Sequence, residues 1–295
     1  MIEGPHFVGD LRLTELLITE GRCITTAPLT DAVRSVAGGA SLGVVATMFD
    51  VGASHPAVIA GRPDWTATQD LALHGTGQPV IEGPIVVDSQ LVRAGKKVVA
   101  VAGSVYDGAG EEDLAALREA IDGGDGSDGG RGLTLAASGL ITFARISRSA
   151  APGMDTYDPA TWVGQVRRVL SARPDAGSLS ARLGLRVIDA PGGRLELERT
   201  PYVINSIGTI QGGAQAVLIE AAAEVMRPPM VAVDMQIHYL SQLDAGPVRT
   251  SGRVLREASD HAVVTVKVED AGSGDRLLSQ ATVTLWAPPA PRGLG

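Results

Sequence analysis

The strongest pattern in the chain is a pair of long apolar segments, each of which follows a glycine-rich loop. The second, Gly212–Met226, is apolar on almost every side and is followed by Arg227-Pro228-Pro229. Because proline cannot continue a helix, this segment is predicted to be one helix that ends there. The first runs from Gly43 through Asp50 and is predicted to be the equivalent helix, ending near His55-Pro56. A helix that is apolar all round must be buried on every side.

Polar and apolar residues alternate in the segments that follow each helix, which indicates β-strands. The alternation is clearest in Val263–Val268, VVTVKV, where successive side chains point to opposite faces of a strand. The adjacent pair Lys96-Lys97 is predicted to be the exposed tip of a hairpin. A curved antiparallel sheet around one helix would bury that helix completely. Each half of the chain is therefore predicted to be a hairpin, a loop, one buried helix and three or four strands.

The two halves of the chain repeat the same features in the same order. Asp31–Asp50 matches Pro201–Glu220 in its loop, its glycines, its apolar run and its closing carboxylate. Further on, Asp70–His74, DLALH, matches Asp234–His238, DMQIH. Agreement over successive segments predicts an internal duplication, with two α+β units in one chain.

The repeat also predicts the organisation of the domains. The first unit is expected to span 1–146 and the second 181–295, with a connector at 147–180. Within the first unit, residues 108–131 are an insertion that contains a short helix followed by a Gly/Asp-rich loop. The aspartates of that loop lack the spacing and the closing glutamate of a calcium loop, so it is interpreted as a linker. A second short helix is expected in the connector, at 158–170.

Composition and charge limit the classes of function. Hydrophobic residues make up 44% of the chain and charged residues 20%, a normal balance for a globular protein. The formal net charge of −8 argues against a nucleic acid as the partner, because phosphate binding needs clustered cations. The single cysteine, Cys23, is expected to be a packing residue, and its isolation favours a cytoplasmic protein. No segment approaches the roughly 18 consecutive apolar residues of a membrane span.

The loop before the second helix carries a recognisable motif. Its residues are Asn205, Gly208, Gln211-Gly212-Gly213 and, on the helix, Glu220. Over residues 181–286 the chain resembles acyl-CoA thioesterases of the 4-hydroxybenzoyl-CoA and phenylacetyl-CoA type, although Gln211 stands where those enzymes usually have histidine. The first half resembles a degenerate copy of the same unit, with Ser35 in place of the asparagine and Ser41-Leu42 in place of His-Gly.

The resemblance implies a double hotdog fold, in which each half is a curved antiparallel sheet around one helix and the two halves lie side by side. In that family each site combines the loop and helix start of one unit with a carboxylate and a hydroxyl of its neighbour. The first site would then consist of Asn205, Gln211, Gly212, Gly213, Asp50 and Thr68. The second would consist of Ser35, Ser41, Gly43, Glu220 and Ala232. Only the first has both an amide and a hydroxyl, so the second is expected to be weakened or vestigial.

The residue types of the first site suit thioester hydrolysis. A helix start presents free N–H groups, and glycines there let a carbonyl oxygen approach closely, as an oxyanion hole requires. Asp50 would be the general base or the nucleophile, and Thr68 would orient the water or the carboxylate. Asn205 and Gln211 would position the carbonyl and the loop. The expected substrate is an acyl-CoA, and no cofactor or metal is required.

Other interpretations remain open at this stage. Asn205 would serve equally well as a loop cap and Thr68 as an ordinary strand residue, while His74 and His238 are interpreted as scaffold. The G-x-S-x-G sequence at Gly39–Gly43 matches a hydrolase nucleophile elbow but lacks a core strand before it. A hotdog enoyl-CoA hydratase or dehydratase would need a histidine near a helix start. A non-catalytic acyl-CoA-binding protein is the third alternative.

Coenzyme A binding and assembly are less defined by the sequence. A basic surface is expected to hold the phosphates of the substrate, with Arg93, Arg253 and Arg256 as its candidates. A double hotdog already contains one side-by-side pair of units. Further pairing into a homodimer of whole chains is left open.

Overall fold

A computed structural model describes residues 6–123, 132–148, 157–169 and 177–288. Most of the Gly/Asp-rich loop predicted at the end of the insertion 108–131 lies outside these ranges.

The chain folds into helices and strands that follow the predicted order in each half. The helices are α1 Leu42–Gly61, α2 Leu114–Asp122, α3 Leu179–Leu183 and α4 Gly212–Met226. The strands of the first half are β1 Leu13–Thr19, β2 Arg22–Ala27, β3 Trp65–Gly75, β4 Ile85–Ala94, β5 Val98–Asp107 and β6 Thr134–Ile146. The short strand β7 Val166–Val169 lies in the connector. The strands of the second half are β8 Arg186–Asp189, β9 Arg194–Leu197, β10 Val231–Tyr239, β11 Val248–Glu257, β12 His261–Asp270 and β13 Arg276–Trp286.

The strands described form one antiparallel sheet whose order is symmetric about its centre. The sheet has 13 strands in the order β7-β1-β2-β4-β5-β6-β3-β10-β13-β12-β11-β9-β8. Apart from β7, the first half has the order of the second in reverse, so β3 corresponds to β10 and the hairpin β1–β2 to β8–β9. The two halves join where β3 pairs with β10, a junction we call the seam. The fold is a double hotdog, as the sequence predicted.

The two long helices lie inside the curved sheet because nearly all of their side chains are apolar. α1 packs on strands of its own half, α4 does the same in the second half, and the two helices pack on each other. α1 is long and apolar enough to cross a membrane by length and composition, but 83% of its most apolar stretch is buried in this core. Its hydrophobicity is therefore explained by the packing of the fold.

The internal repeat extends to individual backbone hydrogen bonds in the loops before the helices. Ser35 N–H donates to the Gly39 carbonyl at 2.8 Å, and Asn205 N–H donates to the Thr209 carbonyl at 2.7 Å. In each turn a glycine adopts a left-handed conformation, Gly38 with φ 87° and Gly208 with φ 81°. The duplicated loops thus direct the chain into the start of each helix with the same geometry.

Three local predictions are confirmed. Lys96-Lys97 lie in the turn between β4 and β5, where both side chains are exposed. The short helix expected at the start of the insertion 108–131 forms as α2, Leu114–Asp122, and Asp113 caps it by accepting hydrogen bonds from Ala115 N–H and Ala116 N–H. Cys23 is fully buried in the core.

The helix end predicted at His55-Pro56 is wrong. α1 continues through both residues to Gly61, although Pro56 has no N–H for the helical hydrogen-bond pattern. Ala57, Val58 and Ile59 are at most 6% exposed, so the burial of this last turn offsets the lost bond.

The helix predicted at 158–170 is also wrong within the described part of the connector. Only one 3-10 turn forms, at Pro159–Trp162, and Gly164 then adopts a left-handed conformation with φ 77°. Residues Val166–Val169 form β7, which pairs with β1. The free edge of β1 offers unpaired backbone N–H and C=O groups. Pairing with this edge satisfies the backbone hydrogen bonds of the connector better than an isolated helix would.

Candidate functional site

The start of each long helix lies against the middle of the other, and two glycines allow this contact. A Cβ atom on Gly43 would lie 2.7 Å from the Cα of Val217, and one on Gly213 would lie 2.3 Å from the Cγ2 of Thr47. No side chain larger than hydrogen fits at either position without a shift. The helices therefore run antiparallel in close contact, and each brings a carboxylate to the other's first turn.

Asp50 of α1 lies beside the first turn of α4. A Cβ atom on Gly212 would be 3.0 Å from Oδ2 of Asp50 and 3.5 Å from the hydroxyl of Tyr239. That hydroxyl donates a hydrogen bond to the Gly212 carbonyl at 3.1 Å. The Thr68 hydroxyl donates to Oδ1 of Asp50 at 2.6 Å. Residues from both halves thus meet in one place, which we call the Asp50 site.

An irregularity in the strand directs Thr68 toward Asp50. The pairing of β3 with β6 shifts register between Thr68 and Asp70, and the pairing of β10 with β13 shifts between Ala232 and Asp234. Such bulges bend a strand and redirect a side chain, and they are frequent beside functional sites. Ala232 occupies the corresponding place in the second half, so no hydroxyl is available there.

The surroundings of Asp50 change the protonation of two groups. Burial raises the pKa of Asp50 to about 6, although the hydrogen bond from Thr68 favours the ionised form. Burial, followed by the negative charge of Asp50, raises the pKa of Tyr239 well above its usual value. At neutral pH Asp50 is therefore mostly a carboxylate, and Tyr239 is a neutral hydrogen-bond donor.

The first turn of α4 keeps its N–H groups available. Gln211 is the N-cap residue, and its side chain makes no capping hydrogen bond. Among the residues that the structure describes, no acceptor binds the N–H of Gly212 or Gly213. Free donors and the positive end of the helix dipole therefore lie next to the Asp50 carboxylate.

In the repeat, Glu220 of α4 corresponds to Asp50 and lies beside the first turn of α1. Its Oε1 accepts a hydrogen bond from Leu42 N–H at 2.7 Å, and its Oε2 accepts from Gly43 N–H at 3.1 Å. The Ser41 hydroxyl also donates to Oε2. Burial raises the pKa of Glu220, and these three hydrogen bonds oppose the shift. We call this arrangement the Glu220 site.

A second carboxylate, Glu224, lies one helical turn beyond Glu220. It accepts a hydrogen bond from Ala232 N–H at 3.0 Å. Burial, and then the charge of Glu220, raise the pKa of Glu224 to about 8. Glu224 is absent from the sites predicted from the sequence, although a spacing of four residues on a buried helix predicts that two carboxylates share one face.

Asn205 and Gln211 differ in their side-chain hydrogen bonding. The side-chain oxygen of Asn205 accepts from Ile207 N–H at 3.1 Å and from Thr209 N–H at 3.2 Å, so it caps its own loop. The Gln211 side chain has no hydrogen-bond partner within the described ranges. Tyr239 lies within the segment 181–286 that carries the resemblance, and its hydroxyl contacts the Asp50 site directly.

The three arginines proposed for coenzyme A do not form one surface. Six strands separate Arg93 on β4 from Arg253 and Arg256 on β11. Arg253 lines a surface depression with Lys267 on the face of the sheet opposite α4, because the neighbouring Gly252 is the residue that faces Met226 of that helix. The fold therefore does not bring Arg93 together with Arg253 and Arg256, and a role of any of them in coenzyme A binding stays a prediction.

The remaining sequence motifs have structural partners. His74 Nδ1 is 2.7 Å from Oδ2 of Asp234, and His238 is paired with Asp70, so each pair joins the two halves across the seam. Ser41 is the N-cap of α1 and follows a turn rather than a core strand, which excludes a nucleophile elbow at Gly39–Gly43. In the described ranges, no cluster of three or more His, Cys, Asp or Glu side chains is placed to hold a metal ion.

Comparisons with known proteins support the fold. No protein-family model matches the chain, and a search of curated proteins finds no match. Among solved structures, the tesB protein of Mycobacterium avium subspecies paratuberculosis is similar with a TM-score of 0.57 and 11% identity, over 96% of this chain and 98% of that one. A protein of Alicyclobacillus acidocaldarius described as having a hot dog fold has a TM-score of 0.55 and 13% identity, over 97% and 98%. An acyl-ACP thioesterase of Bacteroides thetaiotaomicron has a TM-score of 0.53 and 12% identity, over 90% and 99%.

Proposed function

We propose that this protein hydrolyses acyl-CoA thioesters at the Asp50 site. The observation that carries the proposal is the meeting of a half-buried carboxylate with the uncapped first turn of α4. Asp50 is within contact distance of Gly212, and the N–H groups of Gly212 and Gly213 have no acceptor among the described residues. An acyl-ACP thioesterase among the structures of similar fold supports the same class of reaction.

The geometry divides the reaction between the two halves of the chain. Asp50, oriented by Thr68, takes a proton from a water molecule, and the water oxygen attacks the thioester carbonyl carbon. The N–H groups of Gly212 and Gly213 stabilise the negative charge that develops on the carbonyl oxygen. The carbon–sulfur bond then breaks, the thiolate leaves with the proton that Asp50 had taken, and the products are a carboxylic acid and free coenzyme A.

Asn205 and Tyr239 support this arrangement without taking part in bond breaking. Asn205 caps the loop that leads into α4 and so fixes the start of the helix. Tyr239 holds the Gly212 carbonyl by its hydroxyl, which keeps the Gly212 peptide in a constant orientation. We expect Asn205 and Tyr239 to act by holding the N–H groups of Gly212 and Gly213 in position.

The hydratase alternative lacks a histidine in the required place. His55 is hydrogen-bonded to Glu15 at 2.8 Å, and the seam histidines His74 and His238 are bound to aspartates. The binding-only alternative differs from the proposal in one measurable respect, the release of a thiol.

The test is release of free coenzyme A from a panel of acyl-CoAs, measured with a thiol reagent. Asp50→Asn keeps the shape of the side chain but removes the base, so we expect kcat to fall by roughly 10²-fold or more. Asp234→Asn is the matched control, because Asp234 lies on the seam and its side chain binds His74 and no other described residue. Tight binding of acyl-CoA without thiol release by the wild type would overturn the proposal in favour of a binding protein.

A further inference from the structure

The Glu220 site has the parts of a second thioester site, but a side chain of the protein already fills it. The first turn of α1 presents Leu42 N–H, Gly43 N–H and the Ser41 hydroxyl, and the Glu220 carboxylate accepts hydrogen bonds from all three. We infer that Glu220 is a permanent internal ligand of this helix start and closes the site, so that each chain carries one open site. This inference rests on the proposed function only in identifying the ligand that is excluded.

The difference between the two sites follows from the length of one side chain. Asp50 and Glu220 occupy equivalent positions in the repeat, but glutamate is longer by one methylene group. Glu220 reaches the N–H groups of the opposite helix directly. Asp50 is hydrogen-bonded to Thr68 instead and leaves the first turn of α4 without an acceptor.

Burial distinguishes the sites in the same way. Glu220 is 5% exposed and Leu42 is 8% exposed, whereas Asp50, Thr68 and Tyr239 are all partly accessible. The Glu220 carboxylate is therefore less accessible than the Asp50 carboxylate.

The bound carboxylate is also a stronger ligand than the substrate would be. A carboxylate carries a full negative charge, which the N–H groups and the dipole of a helix start stabilise. A thioester carbonyl is neutral and would have to displace three hydrogen bonds that form within the molecule. Displacement would leave the Glu220 charge buried near Glu224 with no donor, which is unfavourable.

The first test is the binding stoichiometry of a nonhydrolysable thioether analogue of an acyl-CoA, measured by calorimetry on the wild-type chain. We expect one equivalent per chain. Two equivalents would show that the Glu220 site is open and would overturn the inference. No binding at all would overturn the proposed function, and the second test would then decide about Glu220 alone.

The second test replaces the internal ligand by an external one. Glu220→Ala leaves three donors without an acceptor, so acetate should raise the melting temperature of this variant more than chloride at equal ionic strength does. Glu224→Ala is the matched control, since Glu224 is a carboxylate on the same helix that does not bind the α1 donors. We expect no acetate-specific rise in that control or in the wild type. A Glu220→Ala protein that responds to acetate no more than they do would overturn the inference. Should Glu220→Ala fail to fold, the wild-type stoichiometry still decides it.

Discussion

Asp50 approaches Gly212 so closely that a methyl group on that glycine would lie 3.0 Å from the carboxylate oxygen. The two residues belong to different halves of the chain and lie far apart in sequence. They meet because α1 and α4 pack antiparallel, with Gly43 and Gly213 at the points of closest contact. The proposed chemistry therefore depends on the packing of the two halves, and neither half contains the site by itself.

The two glycines of the α4 first turn should respond differently to alanine. The atoms nearest to a methyl group at position 212 are side-chain atoms of Asp50 and Tyr239, at 3.0 Å and beyond, whereas a methyl group at position 213 lies 2.3 Å from the Cγ2 of Thr47. We expect Gly212→Ala to fold almost normally and to lose activity, because the methyl group fills the space where the carbonyl would bind. We expect Gly213→Ala to lose about 1–3 kcal/mol of stability from overpacking. Urea unfolding and thioesterase assays on both variants check this, and equal stability of the two would contradict it.

The activity should depend on pH through Asp50. Because the base must be ionised and its pKa is about 6, kcat/KM should rise with pH through about 6 and level off above it. The Thr68 hydrogen bond favours the ionised form of Asp50. Thr68→Val should therefore move the rise in kcat/KM to higher pH, while Thr68→Ser should return the rise to its wild-type position. A pH–rate profile of the three proteins is the measurement. If kcat/KM of Thr68→Val rises at the same pH as that of the wild type, a group other than Asp50 controls the pH dependence.

Ionisation of Asp50 should also lower the stability of the fold. The folded-state pKa of Asp50 is raised above its ordinary value of 3.8. The folded state therefore holds the proton more tightly, and the stability that this contributes is complete below pH about 3.8 and is lost as the pH rises through about 6. Asp50→Asn cannot ionise, so at pH 7 we expect it to be more stable than the wild type by about 1–2 kcal/mol after allowance for partial exposure. Thermal unfolding at pH 4 and pH 7 tests this, and a variant less stable at pH 7 would contradict it.

Much of the fold could be predicted because the sequence repeats its own pattern. The all-apolar segment Gly212–Met226 and its weaker counterpart require burial on every side, and alternating strands after each of them supply the cover. The connector could not be predicted in the same way. Val166–Val169 becomes a strand only because the edge of β1 is free to pair with it, and no local pattern reveals that edge.

The candidate site was less accessible to sequence reasoning than the fold. The repeat identified Asp50 and Glu220 as equivalent carboxylates, but whether a carboxylate stays free or binds a helix start depends on a reach of about one methylene group. Tyr239 enters through a contact with Gly212, which is distant in sequence, whereas the spacing of four residues between Glu220 and Glu224 already indicates a shared helix face. The arginines were selected by charge alone, and charge does not tell which face of a sheet a side chain occupies.

Glu224 provides a test of the burial around the Glu220 site that needs no substrate. Its pKa is raised from 4.5 to about 8 by burial and by the charge of Glu220. The folded state therefore favours its protonated form, and this contribution to stability is complete below pH about 4.5 and is lost as the pH rises through about 8. Glu224→Gln has nearly the same shape as the protonated acid, so its stability should be closest to that of the wild type near pH 5 and should exceed it at pH 9. The difference should grow by at most about 1.4 kcal/mol per pH unit between those limits.

Urea unfolding of the wild type and of Glu224→Gln from pH 5 to pH 9 measures this difference. Asp260→Asn is a suitable control, because Asp260 is exposed and its pKa is lowered by a hydrogen bond from His261. Two stability curves that run parallel over the whole range would show that Glu224 is ionised throughout. In that case the second half would hold two charged carboxylates on adjacent turns of α4, and the raised pKa of Glu224 would be contradicted.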